Sequence, residues 1–275
     1  MTDVSSTPGE PDAAAGTGID TTVSHSARIW DYWLKGKDNY AVDREVGDRI
    51  EEMLPDIVRQ AREDRLFLGR VVRYLAGEAG IRQFLDIGTG LPTADNTHQV
   101  AQREAPQSRV VYVDNDPVVL LHASALLRSC SPGVCDYIEA DLRDPAGILD
   151  GAARTLDFTQ PVALMLLAIM QFIPDEENPV GLVSTLLKGL PSGSYLVLSH
   201  PTDDFNPNEQ GESIRRYNER VTDPATLRDR EGTTRFFAGL ELLEPGVVGV
   251  SQWRPDSDLT AAMPSSMWCG VGRKP

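Results

Sequence analysis

Three times between residues 83 and 144 a short apolar stretch runs into an aspartate, and after the first the chain turns on two glycines one residue apart. The first stretch is Gln83-Phe-Leu-Asp-Ile-Gly-Thr-Gly90. Phe84, Leu85 and Ile87 read as a strand. Gly88 and Gly90 permit positive φ and let the main chain approach a ligand more closely than any Cβ would allow. Asp86 stands where a carboxylate meets a cationic or hydroxylated part of that ligand. A structural turn is the competing reading of a Gly-x-Gly pair taken alone. The second stretch, Arg109-Val-Val-Tyr-Val-Asp114, ends in an acid 24 positions past Gly90. That is close to the ~20-residue spacing at which nucleotide folds set a carboxylate against ribose hydroxyls. Asn115, Asp116 and Pro117 follow as a strand end, a helix N-cap and a first-turn proline. Asp114 is therefore expected at the carboxyl end of its strand, where open parallel sheets bind ligands. The third, Asp136-Tyr-Ile-Glu-Ala-Asp141, precedes a helix opening at Asp144-Pro145. For Asp141 taken alone, a cap or turn role competes with a ligand role.

The same alternation continues downstream. Val118, Leu121, Ala125 and Leu126 recur along a helix expected over 117–129, and Val180, Val183, Leu186 and Leu187 along one over 176–189. The apolar run from Val162 through Ile173 reads as a strand buried on both faces of a parallel sheet. It is shorter than the ~20 residues of a bilayer crossing. Ser194-Tyr-Leu-Val-Leu-Ser199 is a fifth strand, ending at His200-Pro201. Helical regions are expected over about 208–220 and from Asp223-Pro224 towards Phe237. Val247–Trp253 and Met267–Gly272 form a closing hairpin-like pair. Strands alternating with helices imply an α/β fold with a parallel sheet and right-handed crossovers.

Details of the first turn choose among nucleotide ligands. A dinucleotide site wants a third glycine beneath the pyrophosphate, but this chain has Thr93 there, after Pro92. An acid two residues before the first glycine would repel a pyrophosphate. The same Asp86 suits a ligand carrying an amino group and a sulfonium, which points to S-adenosylmethionine.

Phe84–Gly90, Val113-Asp-Asn-Asp-Pro117 and Glu139-Ala-Asp-Leu-Arg-Asp144 resemble motifs I, II and III of class I S-adenosylmethionine-dependent methyltransferases, and Leu167–Asp175 resembles their motif IV. Ala27-Arg-Ile-Trp-Asp-Tyr-Trp-Leu-Lys-Gly-Lys-Asp-Asn-Tyr40 is similar to the opening segment of a bacterial family of S-adenosyl methyltransferases with largely unassigned substrates. The resemblance implies a Rossmann-like sheet of order 3-2-1-4-5-7-6 with strand seven antiparallel. It sets Asp86, Gly88 and Gly90 against the methionine part of the cofactor, Asp114 against the ribose, Asn115 beside the adenine ring, and Asp141 with Leu142 at the adenine amino group. From motif IV it adds Ala168 and Gln171 to the cofactor site. Where many small-molecule methyltransferases carry histidines after strand four, this chain has Gln171 and Phe172, so no base is borrowed from there. His200, at the end of strand five, is the histidine positioned to act as a base; a loop histidine before a proline is the competing reading. His25 and His98 have no positional argument.

The amino-terminal region divides at about residue 22. Residues 1–22 are small and polar, with neither the basic nor the apolar region of a secretory signal, and are expected to be a disordered tail. Residues 23–80 carry Ile29, Trp30, Trp33 and Leu34, then Val42, Val46, Ile50 and Leu54 on one helix face, and after Pro55 a helix with Ile57, Ala61, Leu68, Val71, Val72 and Leu75 inward. These helices precede the first strand and are read as a lid over a cofactor domain spanning 81–275. Tyr32, Asn39 and Tyr40 are placed on its inner surface; a plain packing role competes. Arg62, Arg65, Arg70 and Arg73 interleave with Glu63 and Asp64 and read as a solvated helix surface.

The net charge of −15 works against binding a phosphate backbone, which leaves a small molecule as the expected acceptor and neither nucleic acid nor membrane as partner. Cys130, Cys135 and Cys269 read as buried thiols, with no metal site. The expected location is cytoplasmic. A cofactor-binding regulator without methylase chemistry and a nicotinamide oxidoreductase are the alternatives. The acceptor and the oligomeric state are not legible.

Overall fold

Strands β1 (Gln83–Ile87) and β4 (Ala163–Leu167) are buried at every position, and they form the middle of the sheet in the computed structural model. Described residues are 20–91, 95–117, 119, 132–219 and 224–275. The other strands are β2 (Arg109–Asp114), β3 (Val134–Glu139), β5 (Tyr195–Pro201), β6 (Glu241–Leu242), β7 (Val248–Gly249) and β8 (Met267–Arg273). Their order is β3-β2-β1-β4-β5-β8-β6, with β7 also paired to β8. Strands β1 to β5 pair in parallel. Strand β8 runs antiparallel to β5, from Tyr195 opposite Arg273 to Pro201 opposite Met267. This is the expected Rossmann-like order, with β8 in the place of strand seven. The extra strand arises because residues 241–249 meet β8 twice, at Gly272–Arg273 and again at Trp268–Cys269, with Pro245 and Gly246 breaking the ladder between.

Side-chain alternation splits the sheet into two cores. Phe84, Val110, Tyr112, Met165 and Val197 pack on one face with Phe67, Val71 and Leu75 of helix α3 (Ile57–Gly77). Leu85, Val111, Leu164 and Leu196 pack on the other with Ile148 of α5 (Pro145–Ala152) and Val183 and Leu186 of α6 (Pro179–Lys188). Both latter helices open on proline under a side-chain cap, Asp144 accepting from Gly147 N–H and Asn178 from Gly181 N–H. Helix α4 (Thr97–Glu104) follows the first turn, and α7 (Pro207–Asn218), α8 (Arg230–Thr234) and α9 (Asp258–Ala261) lie beyond β5. Helices α1 (Ser26–Trp33) and α2 (Ala41–Met53) join α3 in a third apolar cluster of Ile29, Trp33, Ile50 and Ala61. Among the described residues no helix is long and apolar enough to cross a membrane.

Several expectations need correction. The apolar run after Val162 is not one strand: β4 stops at Leu167, Ala168 takes φ +48, and Met170–Phe172 make a single 3-10 turn. The Ala168 N–H is held by Ser199, at 3.0 Å to Oγ, which turns the chain out of the ladder. Arg70 is not solvated. It is buried and donates to the carbonyls of Trp253 at 3.0 Å and Val250 at 2.5 Å, satisfying a turn that has no ladder of its own. Cys269 is a buried free thiol, whereas Cys135 is disulfide-bonded. Cys130, residues 1–19 and all of the helix expected over 117–129 except 117 and 119 lie outside the described residues.

Candidate functional site

A cavity of about 360 Å³ opens where β1, β2 and β4 end, within the ~300–1,000 Å³ usual for small-molecule sites. Its floor is the glycine turn. Gly88 and Gly90 both take positive φ, at +74° and +63°, and Gly88 N–H donates to the Val113 carbonyl at 2.8 Å, tying the turn to β2. A Cβ at Gly90 would meet nothing within 4 Å, so bare backbone faces the cavity there.

Asp114 is held by that turn. Gly90 N–H donates to its Oδ2 at 2.7 Å and Asp116 N–H to its Oδ1 at 3.0 Å. Burial pushes its pKa up, and the two amide bonds pull it back without cancelling the rise. Asp86, buried beside it, accepts from the Thr97 hydroxyl at 2.6 Å. Desolvation pushes its carboxyl up to about 6 against the opposing pull of Thr97 and Arg65. Asp141 lies at the rim, half-exposed, accepting from the Arg143 N–H at 2.8 Å. Arg143 also pairs with Glu177 and donates to the Phe172 carbonyl at 3.1 Å. Asn115, Leu142 and Ala168 complete this part of the wall. The residues expected around a cofactor thus line one cavity, with a single exception: Gln171 is absent from it and faces a smaller cavity next door.

His200 is not brought to the cavity. It is fully buried, its Nδ1 2.8 Å from the Pro201 carbonyl and its Nε2 accepting from Arg228 at 2.7 Å. Burial first, and the neighbouring guanidinium, lower its pKa to about 4. It serves as a neutral acceptor inside the core. Tyr32, Asn39 and Tyr40 are absent from the cavity wall as well. Tyr32 bonds Asp48 at 2.6 Å, Asn39 donates to Asp31 at 2.8 Å, and the Tyr40 ring lies under Arg28.

Helical geometry explains the substitution. The stripe of α1 and its following turn that faces the cavity is Ala27, Trp30, Asp31 and Leu34, spaced i, i+3, i+4, i+7, which turns Tyr32 away. Helix α3 presents Ala61, Asp64, Arg65 and Leu68 at the same spacing. Asp64 is buried with Oδ1 lacking a hydrogen-bond partner. Burial outweighs its bond to Ser199 and the pull of Arg65, taking its pKa to about 6. Arg65 donates to Asn96 at 2.7 Å. His25 also reaches the wall, 3.0 Å from Asp116. No sequence pattern marked Asp64 or His25; the i+3/i+4 spacing of Asp64 and Arg65 from Ala61 is the signal that was available.

As a donor set this wall is specific. Carboxylates stand at its centre and rim, one guanidinium lies at the α3 end, and the turn exposes backbone. It suits a ligand with an ammonium, a carboxylate, paired hydroxyls and an amino-bearing ring.

Residues 12–275 match a family model described as S-adenosyl methyltransferase. Among solved structures, a DUF574-family protein from Streptomyces avermitilis is 49% identical, with a TM-score of 0.88 over 93% of this chain and 99% of that one. A candidate methyltransferase from Thermobifida fusca is 38% identical, with a TM-score of 0.87 over 96% and 99% of the two chains. The magnesium protoporphyrin IX methyltransferase of Synechocystis, solved with bound S-adenosylhomocysteine, shares the fold at 12% identity and a TM-score of 0.53, over 90% of this chain and 93% of that one. No curated protein matches the chain.

Proposed function

Because this chain belongs to the S-adenosyl methyltransferase family, we propose that it moves the methyl group of S-adenosylmethionine, by in-line displacement, to a small-molecule acceptor held under its amino-terminal helices. The observation that carries this reading is the meeting of Asp86, Asp114 and Asp141 with the Gly88–Gly90 turn on one cavity. In it Asp86 takes the cofactor's ammonium and Arg65 its carboxylate. Asp114 accepts from the ribose hydroxyls, and Asp141 with Leu142 meets the adenine edge beside Asn115.

The cofactor, when bound, supplies an electrophilic methyl group on a sulfonium. What remains for the protein is alignment and exclusion of water. Holding reactants ~3–3.5 Å apart and in line supplies ~7–11 kcal/mol of barrier reduction. Helices α1 and α3 act as the lid, lining the cavity with Trp30 and Asp31 and with Asp64 and Arg65. The proton released by a hydroxyl or amine acceptor passes to Asp64, whose carboxylate has a free oxygen and titrates at about 6.

Two measurements test the reading. Calorimetry with S-adenosylhomocysteine should show binding that Asp114→Ala weakens about 10- to 100-fold, the worth of hydrogen bonds to a charged group. Cell extract incubated with methyl-tritiated donor should put label in the low-mass fraction. Label confined to protein or nucleic acid would defeat the small-molecule acceptor, and unaltered binding by Asp114→Ala would defeat the site.

A further inference from the structure

The smaller cavity, of about 80 Å³, shares Trp30, Ala168 and Phe172 with the first. The two cavities therefore adjoin along these three residues. Its remaining walls include Ile50 of α2, Ile57 and Gln60 of α3, and Ile214 of α7, and among the described residues none of its lining side chains is charged. The outer wall is fastened in place. Asn218 exchanges two hydrogen bonds with Ala225, at 2.8 and 2.9 Å, and Thr226 N–H donates to the Gln171 carbonyl at 2.8 Å.

Among the described residues of this lining one buried side-chain atom is unmatched. Gln171 is 5% exposed and donates from Nε2 to the Ala168 carbonyl at 2.6 Å, while its Oε1 is buried without a partner. A flipped amide would set two carbonyl oxygens against each other, so the Ala168 carbonyl fixes which end is unmatched. A buried acceptor left bare is unfavourable, and a ligand donor would relieve it.

We propose that this cavity binds the methyl acceptor, a neutral small molecule whose alkyl or single-ring portion carries a hydroxyl or N–H that donates to Gln171 Oε1. The inference rests on the methyl-transfer reading of the adjoining cavity and adds the substrate class and its specificity-determining residue. The volume limits the fit. Apolar cavities of ~150 Å³ admit a benzene ring, so about 80 Å³ takes a short alkyl group or the edge of one ring, with the rest of the molecule facing the cofactor side. A charged acceptor would meet walls without a counter-ion.

The test uses the full chain saturated with S-adenosylhomocysteine, its binding first measured by calorimetry. Phenol and toluene, alike in shape but for the O–H, are then titrated while the methyl resonances of Ile50, Ile57 and Ile214 are followed by NMR. A cavity without an acceptor would favour toluene, which has no hydroxyl to desolvate. Phenol is expected to shift all three resonances and to bind about fivefold or more tightly than toluene. Gln171→Met should bring the two probes level, and Ile214→Trp, which fills the space without touching the amide, should exclude both. Equal affinities in the unaltered protein, or no shift with phenol, overturn the proposal. A chain that takes S-adenosylhomocysteine but ignores phenol keeps the methyl-transfer reading and loses this one; a chain that takes no S-adenosylhomocysteine loses both.

Discussion

Asp64 and Asp86 are each pushed from an ordinary 3.8 to about 6 by burial. A carboxyl that binds its proton better when folded contributes stability that is fully present below about pH 4 and lost as pH rises through about 6. The ionised Asp64 is thus a stability cost at neutral pH, as expected of a group retained for its chemistry. Asp64→Asn should raise stability by about 2–3 kcal/mol at pH 8, with the gap closing towards pH 4. It should also remove the limb near pH 6 from the rate profile. Melting curves across that range check the first, and identical curves would mean the carboxylate bears no such penalty. His200 gives the opposite expectation. As an acceptor for Arg228 it is structural, so His200→Ala should lose about 1–3 kcal/mol in urea unfolding while leaving the pH dependence of turnover where it was. The sequence could not show this, because the acceptor role of His200 depends on Arg228, 28 positions away.

At the level of elements, α1 is latched by charge. Arg28, nearly buried, lies 3.4 Å from Asp116 and 3.7 Å from Asp43, and donates to the Val23 carbonyl at 2.9 Å. Removing one partner from a buried pair costs about 3–5 kcal/mol. Arg28→Ala should therefore speed hydrogen exchange in α1 and α2 while β1 and β2 keep their protection; loss of protection in both regions together would refute a separable latch. His25 adds a pH-dependent contact. Burial works against its protonated form, but Asp116 and Asp114 outweigh that and the net pKa is raised, so its contribution is present in acid and lost as pH climbs past that raised value. Apolar periodicity located α2 and α3 within a few residues and correctly set Ile50, Ala61 and Val71 inward. It misassigned Arg65 and Arg70 because such patterns sort polar residues outward, and a ligand cavity is where that sorting fails. Tyr32 failed because residue type was weighed there without the helical angle, and Asn39 and Tyr40, in the turn between α1 and α2, because Asp31 and Arg28 engage them instead.

Over the whole molecule, the strands were legible because each acid-tipped stretch is a local pattern whose alternation with helices implies a parallel sheet, while their order was legible only through the resemblance to class I methyltransferases. The division of the last edge into β6 and β7 was not, since it depends on pairing with β8, which comes later in the chain. Ligand binding should stabilise the whole fold. S-adenosylhomocysteine at 100 times its dissociation constant should add about 2.7 kcal/mol, which for a domain of this size raises the melting temperature by roughly 5–10 °C; an unmoved transition would count against the cavity as a cofactor site. The Arg28–Asp116 contact has a further consequence for biosynthesis. During translation the first three helices emerge before the loop after β2 has been made, so Arg28 has Asp43 but not Asp116 as a carboxylate partner until that loop arrives. The amino-terminal segment leaves the ribosome early but is completed late, when the nascent sheet supplies the second carboxylate of its charge cluster.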